Sequence, residues 1–145
     1  MYLTGTYDRN LDEKGRLSLP PAFKGAFDGC RLKVISAPER EVDAVYVFTE
    51  DTFKEWLDSV FMAKGGYNPL DPTHRFMKGK LNGEAIELKI DSASRISIPE
   101  AARVKSGLDH EVSVVGNGDR LEIWDREKLA DRLAATENLA ADFFG

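Results

Sequence analysis

The chain carries the same ten-residue pattern twice. Residues 11–20, LDEKGRLSLP, return as residues 90–99, IDSASRISIP, with an Asp-x-x-x-Arg pair and the flanking aliphatic positions in step. Residues 44–53 align with residues 120–129 in the same way. Such self-similarity predicts two copies of one structural unit of about sixty residues. Duplicated units usually lie about a pseudo-two-fold axis, so each polar group of the pattern is expected twice on one surface.

The length of the chain favours one core shared by both copies. A chain of 145 residues buries about 70% of its extended surface on folding, whereas one copy alone would bury about 60% and be marginally stable. We therefore expect both repeats in one globular domain with three parts. These are a first repeat over residues 1–63, a linker with a short helix over 64–82, and a second repeat with a C-terminal helix over 83–145.

Composition argues against several classes of protein. No apolar run approaches the roughly 18 residues of a membrane span, and the first residues lack the regions of a signal peptide, so we expect a cytoplasmic protein without membrane association. Cys30 is the only cysteine, and His74 and His110 stand far apart, so neither an internal disulfide nor a metal site is expected. We therefore expect no cofactor and no small-molecule substrate.

Charge argues against indiscriminate binding of nucleic acid. The net charge is −5 at pH 7, and phosphate binding requires local positive charge. Basic residues nevertheless gather near both copies of the pattern. They are Arg9, Lys14, Arg16 and Lys24 near the first copy, and Lys89, Arg95, Arg103 and Lys105 near the second. An acidic chain with basic spots at repeated positions is compatible with a DNA-binding protein.

Alternating polar and apolar residues predict four strands in each copy. In the short strand after each Asp-x-x-x-Arg, the pleat turns the aliphatic residues inward and both arginines outward. Prolines end these two strands, because proline cannot donate to a ladder. The other strands are expected over residues 6–11, 31–36 and 44–48 in the first copy and over residues 84–90, 111–115 and 120–124 in the second. Short helices are expected over residues 22–27 and 100–105.

A helix closes each copy. Thr49 and Asp125 stand at N-cap positions, with acidic residues in the following turns, where the helix dipole favours them. Apolar residues after Thr49 form a stripe at helical spacing that packs either in the core or on a neighbouring subunit. The stripe consists of Phe53, Trp56, Leu57, Val60 and Phe61. We also expect a short basic helix over residues 72–80, capped by Asp71, and a C-terminal helix from Asp125 to about residue 141 that frays over residues 142–144.

The repeated Asp-x-x-x-Arg spacing spans a connection between two strands. The Asp12 carboxylate can accept hydrogen bonds from backbone amides two or three residues ahead, and Gly15 can take a positive φ. In a structural interpretation, Arg16 merely pairs with Asp12 and contributes roughly 0 to 1 kcal/mol to stability. In a functional interpretation, a guanidinium held by a carboxylate and presented twice reads phosphates or guanine in a major groove. The spacing alone leaves both interpretations open.

The string Asp-Glu-Lys-Gly-Arg-Leu-Ser-Leu-Pro over residues 12–20, its second copy and the Leu-Glu-Ile-Trp-Asp ending over 121–125 resemble the MraZ family of bacterial transcription regulators. One copy is also similar to the AbrB-type swapped-hairpin DNA-binding domain. The resemblance implies an α+β fold, a double-split β-barrel formed by two tandem swapped-hairpin repeats with helices packed at its sides. It further implies a homo-oligomeric ring on double-stranded DNA of the nucleoid. The ring would bind direct repeats in the promoter of the division and cell-wall gene cluster and repress it.

The same resemblance places the DNA-binding residues on the two motifs. They are Asp12, Lys14, Gly15 and Arg16 in the first copy and Asp91 and Arg95 in the second. The second copy departs from the pattern, since Ala93-Ser94 stands in place of Lys14-Gly15 and supplies neither the basic residue nor the residue best suited to a positive φ. We therefore expect the first copy to bind DNA more strongly. Phe143 and Phe144 are candidate subunit contacts.

Two other functions compete with DNA binding. Duplicated aspartates on a two-fold axis form a carboxylate dyad in aspartic proteases, and Asp91-Ser92 weakly resembles such a loop. Asp12-Glu13-Lys14 lacks the hydroxyl and glycine of that loop, and the sequence shows no nucleophile, metal or phosphate-loop constellation, so we expect no enzyme activity. The other alternative is a protein-interaction module of the same barrel fold without DNA readout.

Overall fold

The fold is α+β, as the sequence predicts, and the computed structural model describes all residues from Met1 to Gly145. The strands are β1 (Thr6–Asn10), β2 (Arg16–Ser18), β3 (Leu32–Ser36), β4 (Ala44–Thr49), β5 (Ile86–Leu88), β6 (Arg95–Ser97), β7 (Glu111–Gly116) and β8 (Leu121–Asp125). The helices are α1 (Pro21–Phe27), α2 (Glu50–Met62), α3 (Pro72–Glu84), α4 (Glu100–Ser106) and α5 (Arg126–Phe144). Both copies have the same order of elements, and α3 lies between them in the chain.

The strands pair in a pattern with two-fold symmetry. Six of them form an antiparallel sheet in the order β1-β7-β8-β4-β3-β5, and β2 pairs with β6 in a separate two-stranded ribbon. Exchanging the two copies leaves this order unchanged, because β1 pairs with β7 of the other copy and β5 pairs with β3. No ladder joins the edge strands β1 and β5, so the backbone pairing does not close a barrel.

The larger buried cluster joins the ribbon to the six-stranded sheet. It contains 17 buried apolar residues drawn from both copies. Leu17 and Ile96 face each other across the ribbon and are fully buried, whereas the neighbouring Ser18 and Ser97 are exposed. Alternation along each short strand therefore separates a buried face from a solvent face.

The apolar stripe of α2 packs within the chain. Its buried residues are Phe53, Trp56, Leu57 and Phe61. They belong to a second cluster of 12 buried residues, in which the ring of Trp56 lies 5.2 Å from that of Phe48 on β4. Thr49 caps the helix as expected, since its hydroxyl accepts from the Thr52 amide. Of the two roles that the sequence left open for the stripe, the structure shows the core role.

The basic helix before the second copy is longer than expected. α3 begins after Asp71, whose carboxylate accepts from the Thr73 amide at 2.8 Å. It continues to Glu84 instead of ending near residue 80. An ion pair between Lys80 and Glu84 supports the last turn, and Leu81 is the only buried residue of the helix.

The first strand of the second copy is shorter than expected. The sequence predicted a strand over residues 84–90, but β5 covers only Ile86–Leu88, and Glu84 belongs to α3. The strand lies at an edge of the sheet and pairs with β3 alone, over three residues. Ile86 is consequently 41% exposed at this edge. β1 likewise ends at Asn10, one residue before its expected end.

The C-terminal helix projects away from the sheet. α5 runs to Phe144, and the Gly145 amide still donates to a helix carbonyl at 2.8 Å, so the expected fraying over residues 142–144 is wrong. Leu129 is the only buried residue of this helix, and every residue from Ala130 onward is exposed. No helix of the chain combines the length and the apolar character that a membrane crossing requires.

Candidate nucleic-acid interface

Asp12 organises the first turn through three hydrogen bonds to its carboxylate. Oδ1 accepts from the amides of Lys14 and Arg16, each at 2.9 Å, and Oδ2 accepts from Nε of Arg16 at 2.5 Å. The Gly15 amide donates to the Asp12 carbonyl at 3.0 Å and completes the turn. This is the Asx arrangement that the spacing predicts, and it holds the Arg16 guanidinium through its Nε.

Asp91 builds the second turn in the same way. Its Oδ1 accepts from the amides of Ala93 at 2.8 Å and Arg95 at 2.9 Å, and its Oδ2 accepts from Nε of Arg95 at 2.9 Å. The Ser94 amide donates to the Asp91 carbonyl at 3.0 Å. The two motifs therefore share one hydrogen-bond pattern, atom for atom.

The fourth residue of each turn takes a positive φ. Gly15 has a φ of 75°, as expected for glycine, and Ser94 has a φ of 59°. A residue with a side chain is strained by roughly 1 to 2 kcal/mol in this region. The departure of the second copy from the pattern therefore leaves the turn conformation intact. Ser94 adopts, with strain, the positive φ that glycine adopts freely.

The ribbon connects the two turns to each other. The Gly15 carbonyl accepts from the Ile98 amide at 2.9 Å, and the Ser94 carbonyl accepts from the Leu19 amide at 3.1 Å. Each turn is thus hydrogen-bonded to the strand of the other copy. Neither motif completes its backbone hydrogen bonds without its partner.

Both arginines lie on the solvent face of the ribbon. Arg16 is opposite Ser97 and Arg95 is opposite Ser18, so the two arginines are diagonal neighbours, which lie about 7 to 8 Å apart in such a ladder. Each arginine side chain is 33% exposed. In both, Nε is bound to the aspartate, while Nη1 and Nη2 make no hydrogen bond within the chain. The Nη edge of each guanidinium is therefore available to a bidentate acceptor.

Two further cations lie at the first turn. Lys14 is exposed at its tip. Arg103 of α4 lies against Gly15, where an added Cβ would come 2.5 Å from Nε of Arg103. That Nε donates to the Ile98 carbonyl at 3.1 Å. Because Asp12 neutralises Arg16, the excess positive charge of this turn comes from Lys14 and Arg103.

Sequence reasoning placed Arg103 near the second motif and did not include it in the site. Strand exchange carries it to the first turn, because α4 follows β6 and β6 pairs with β2. Lys24 holds the equivalent position of the first copy, in α1. A basic residue shortly after each proline was the signal in the sequence, but the pairing that brings it to the opposite motif is not visible there.

Hydrogen bonding lowers the pKa of both motif aspartates. The backbone amide of Arg16 lowers the pKa of the Asp12 carboxyl below its ordinary value of 3.8, and the Arg16 side chain adds to the effect against a partial desolvation. The backbone amide of Arg95 is likewise the main cause that lowers the pKa of Asp91. Each guanidinium therefore keeps its charged partner to a lower pH than beside an ordinary carboxylate.

Comparison with known proteins bears on the family of the chain. The family model described as MraZ protein, putative antitoxin-like, matches residues 81–142, which contain Asp91 and Arg95. A protein of Clavibacter michiganensis subsp. michiganensis named transcriptional regulator MraZ is 36% identical over 140 residues, covering 95% of this chain and 91% of its own length. The chain belongs to the MraZ family.

More distant relatives carry the same name. The transcriptional regulator MraZ of Caulobacter vibrioides (strain NA1000 / CB15N) is 29% identical over 142 residues, covering 98% of this chain and 88% of its own length. The one of Mesoplasma florum is 28% identical over 127 residues, covering 88% and 82%. The family predicted from the two motifs is therefore confirmed. These relatives are named as regulators of transcription and not as enzymes.

Replacing Ser94 with glycine tests the strain at the second turn. Removing the positive-φ strain favours the folded chain by roughly 1 to 2 kcal/mol, and the extra freedom of glycine in the unfolded chain offsets about 0.5 to 1 kcal/mol of this gain. We expect Ser94→Gly to raise the free energy of unfolding by about 0.5 to 1 kcal/mol, measured by urea denaturation. The matched reverse change, Gly15→Ser, is expected to lower it by at least about 1 kcal/mol. Changes of the same sign in both variants would contradict this account.

Titration of Asp12 by carboxylate NMR tests the hydrogen bonds of the first turn. We expect its midpoint below that of the same residue in the unfolded chain, about 3.9. A lowered folded pKa adds stability above the unfolded value, and this stability is lost as the pH falls through the folded value. In Arg16→Ala the midpoint should rise only part of the way toward the unfolded value. The backbone amide of residue 16, the largest cause of the lowered pKa, remains in this variant. A complete return to the unfolded midpoint in this variant would disprove the backbone contribution.

Proposed function

We propose that this chain binds double-stranded DNA in a sequence-specific manner through the solvent face of the β2–β6 ribbon, and thereby regulates transcription. The observation that most supports the proposal is the pair of arginines on that face, each held through Nε with its Nη edge unbonded. Such an edge matches the O6 and N7 acceptors of guanine or two oxygens of a phosphate. A major groove about 12 Å wide admits a two-stranded ribbon.

Each residue of the motifs has its own part in this proposal. Arg16 and Arg95 contact bases or phosphates, and Asp12 and Asp91 hold them in position through Nε. Gly15 supplies the positive φ of the first turn and leaves space for Arg103. Lys14, exposed at the tip, adds a phosphate contact. Arg103 is a further candidate for such a contact.

The architecture that fits this proposal is a double-split β-barrel of two tandem swapped-hairpin repeats in one globular domain. Its parts would be the first repeat over residues 1–63, the linker over 64–82 and the second repeat over 83–145. Two observations support it: each copy pairs its outer strand with the other copy, and the larger buried cluster draws on both. In this arrangement the helices pack at the sides of the barrel and leave the ribbon free.

Assembly would overcome the unfavourable net charge. With two or three phosphate contacts per chain and a net charge of −5, one copy would bind DNA weakly at physiological salt. We propose a homo-oligomeric ring that presents several ribbons to direct repeats, since linked contacts raise the effective concentration of each. Its DNA would be the promoter of the division and cell-wall gene cluster, where the ring acts as a repressor within the nucleoid.

A protein-interaction module is the second candidate function. The description of the matching family as putative antitoxin-like and the exposed apolar residues of α5, Phe143 and Phe144 among them, favour a protein partner. In that case the ribbon would only stabilise the fold, and replacing its arginines would not change the affinity for DNA.

Arginine variants separate the two candidates. We expect Arg16→Ala to weaken binding to the chain's own promoter DNA by roughly tenfold or more, since one good contact is worth about 1 to 3 kcal/mol. Arg95→Ala should weaken it less, because Lys14 and Arg103 add positive charge at the first turn. Fluorescence anisotropy at fixed salt measures both, and equal losses would contradict the inequality.

A remote arginine is the matched control for these variants. Arg132 lies on α5 and pairs with Glu41, so Arg132→Ala should leave the affinity unchanged. The slope of the logarithm of the binding constant against the logarithm of salt concentration should also become shallower by about 0.9 for each phosphate contact that a ribbon variant removes. If wild type and all variants bind promoter and unrelated DNA equally, the interaction module is the better account.

The number of DNA repeats tests the assembly. We expect DNA with two or more promoter repeats to bind at least tenfold more tightly than DNA with one, because linked contacts add. Mobility shift with fragments of equal length, in which all but one repeat is scrambled, makes the comparison. Full affinity for a lone repeat would rule out the need for several ribbons.

A further inference from the structure

The side chain of Arg103 covers the tip of the first turn. Gly15 is buried there, although Lys14 beside it is exposed. An added Cβ at Gly15 would come 2.5 Å from Nε and 2.6 Å from Cζ of Arg103. The guanidinium of this α4 residue therefore lies against the Gly15 backbone, in the space that a side chain at position 15 would fill.

Arg103 is held in the same manner as the two ribbon arginines. Its Nε donates to the Ile98 carbonyl at 3.1 Å, and its Nη1 and Nη2 make no hydrogen bond or ion pair within the chain. In Arg16 and Arg95, Nε donates to a carboxylate instead. Arg103 therefore presents the same free pair of N–H donors, but with a positive charge that no carboxylate offsets.

The second turn has no equivalent of this arrangement. Ser94 has a φ of 59°, close to the 75° of Gly15, but it carries a Cβ where Gly15 has none. Lys24 holds the position of Arg103 in the first copy, and a lysine lacks the rigid fork of donors. Because the turn at Ser94 forms with a side chain in place, space for Arg103 is a separate reason for glycine at position 15.

We propose that Arg103 donates through Nη1 and Nη2 to a phosphate of the bound DNA and contributes affinity without reading the sequence. Two parallel donors match two phosphate oxygens, and the uncompensated charge suits an anion. Arg103 extends from α4 to the end of the ribbon, outside the strand face that carries Arg16 and Arg95. The inference rests on the proposed function, and it assigns a residue outside the repeated motif to the sequence-independent part of binding.

Salt dependence tests the phosphate contact. Promoter DNA with a single repeat engages one ribbon, and unrelated DNA of equal length is the comparison. We expect Arg103→Ala to reduce the slope of the logarithm of the binding constant against the logarithm of salt concentration by about 0.9. The ratio of wild-type to variant affinity should thus fall about 3.5-fold between 0.05 and 0.2 M salt. Both DNAs should lose affinity by the same factor, because a phosphate contact acts uniformly across sequences.

Arg103→Lys separates a phosphate contact from a purely structural role. Lysine keeps the charge and loses the fork, so we expect the wild-type slope with an affinity between those of wild type and Arg103→Ala. If Arg103 only stabilised the turn, both variants would lose affinity with an unchanged slope, and this result would overturn the inference. Lys105→Ala is the matched control. Lys105 is exposed and lies two residues farther along α4, on the other side of the helix, so its replacement should change neither quantity.

A double-variant cycle tests the role of Gly15. Gly15→Ser gives the first turn the residue that the second turn holds at this position, and its Cβ would displace Arg103. We expect this change alone to reduce the slope by about 0.9, and to reduce it no further when combined with Arg103→Ala. Circular dichroism verifies that each variant is folded. A slope that falls by about 1.8 in the double variant would overturn the coupling between the two residues.

The same titrations distinguish a failure of this inference from a failure of the proposed function. The inference alone is wrong if Arg103→Ala keeps the wild-type slope and affinity while Arg16→Ala still weakens binding to promoter DNA. The proposed function is wrong as well if Arg16→Ala, Arg95→Ala and Arg103→Ala all bind both DNAs as the wild type does.

Discussion

The hydrogen bonds of the two motif aspartates are the interaction on which the rest of the structure depends. A tight turn leaves backbone amides without partners, and each carboxylate accepts from two of them while it holds an arginine through Nε. With the turn held, the strand behind it pairs with the strand of the other copy, and Leu17 and Ile96 enter the core. The presented arginines and the buried face of the ribbon therefore have one common origin.

The ribbon reconciles an acidic chain with a surface suited to a polyanion. The strand positions on its solvent face are occupied by Arg16, Ser18, Arg95 and Ser97, none of them acidic. The two aspartates are already bound to the arginines, and at the first turn Lys14 and Arg103 outweigh Glu13. What counts for an interface is the charge within a Debye length, about 8 Å at physiological salt. The net charge of −5 therefore opposes binding less at this face than its total suggests.

The same position of the repeat produces a buried helix in one copy and an exposed helix in the other. Leu129 of α5 aligns with Phe53 of α2, and both are buried. Farther along, the α2 stripe positions Trp56, Val60 and Phe61 align with Arg132, Thr136 and Glu137. The second half of α5 thus lacks the side chains that would hold it on its own sheet. α2 therefore packs in the core through Phe53 to Phe61, whereas α5 is exposed from Ala130 onward.

Features set by neighbours in sequence followed from the sequence alone. The turns, the outward arginines and the caps of α2 and α3 depend on residues a few positions apart, because the hydrogen bonds and the pleat that specify them are local. The short β5 and the position of Arg103 at the opposite motif were decided by the tertiary structure. Both depend on pairing between residues far apart in the chain, Val34 with Ile86 for β5 and Leu17 with Ile96 for Arg103, and such pairing depends on the whole fold.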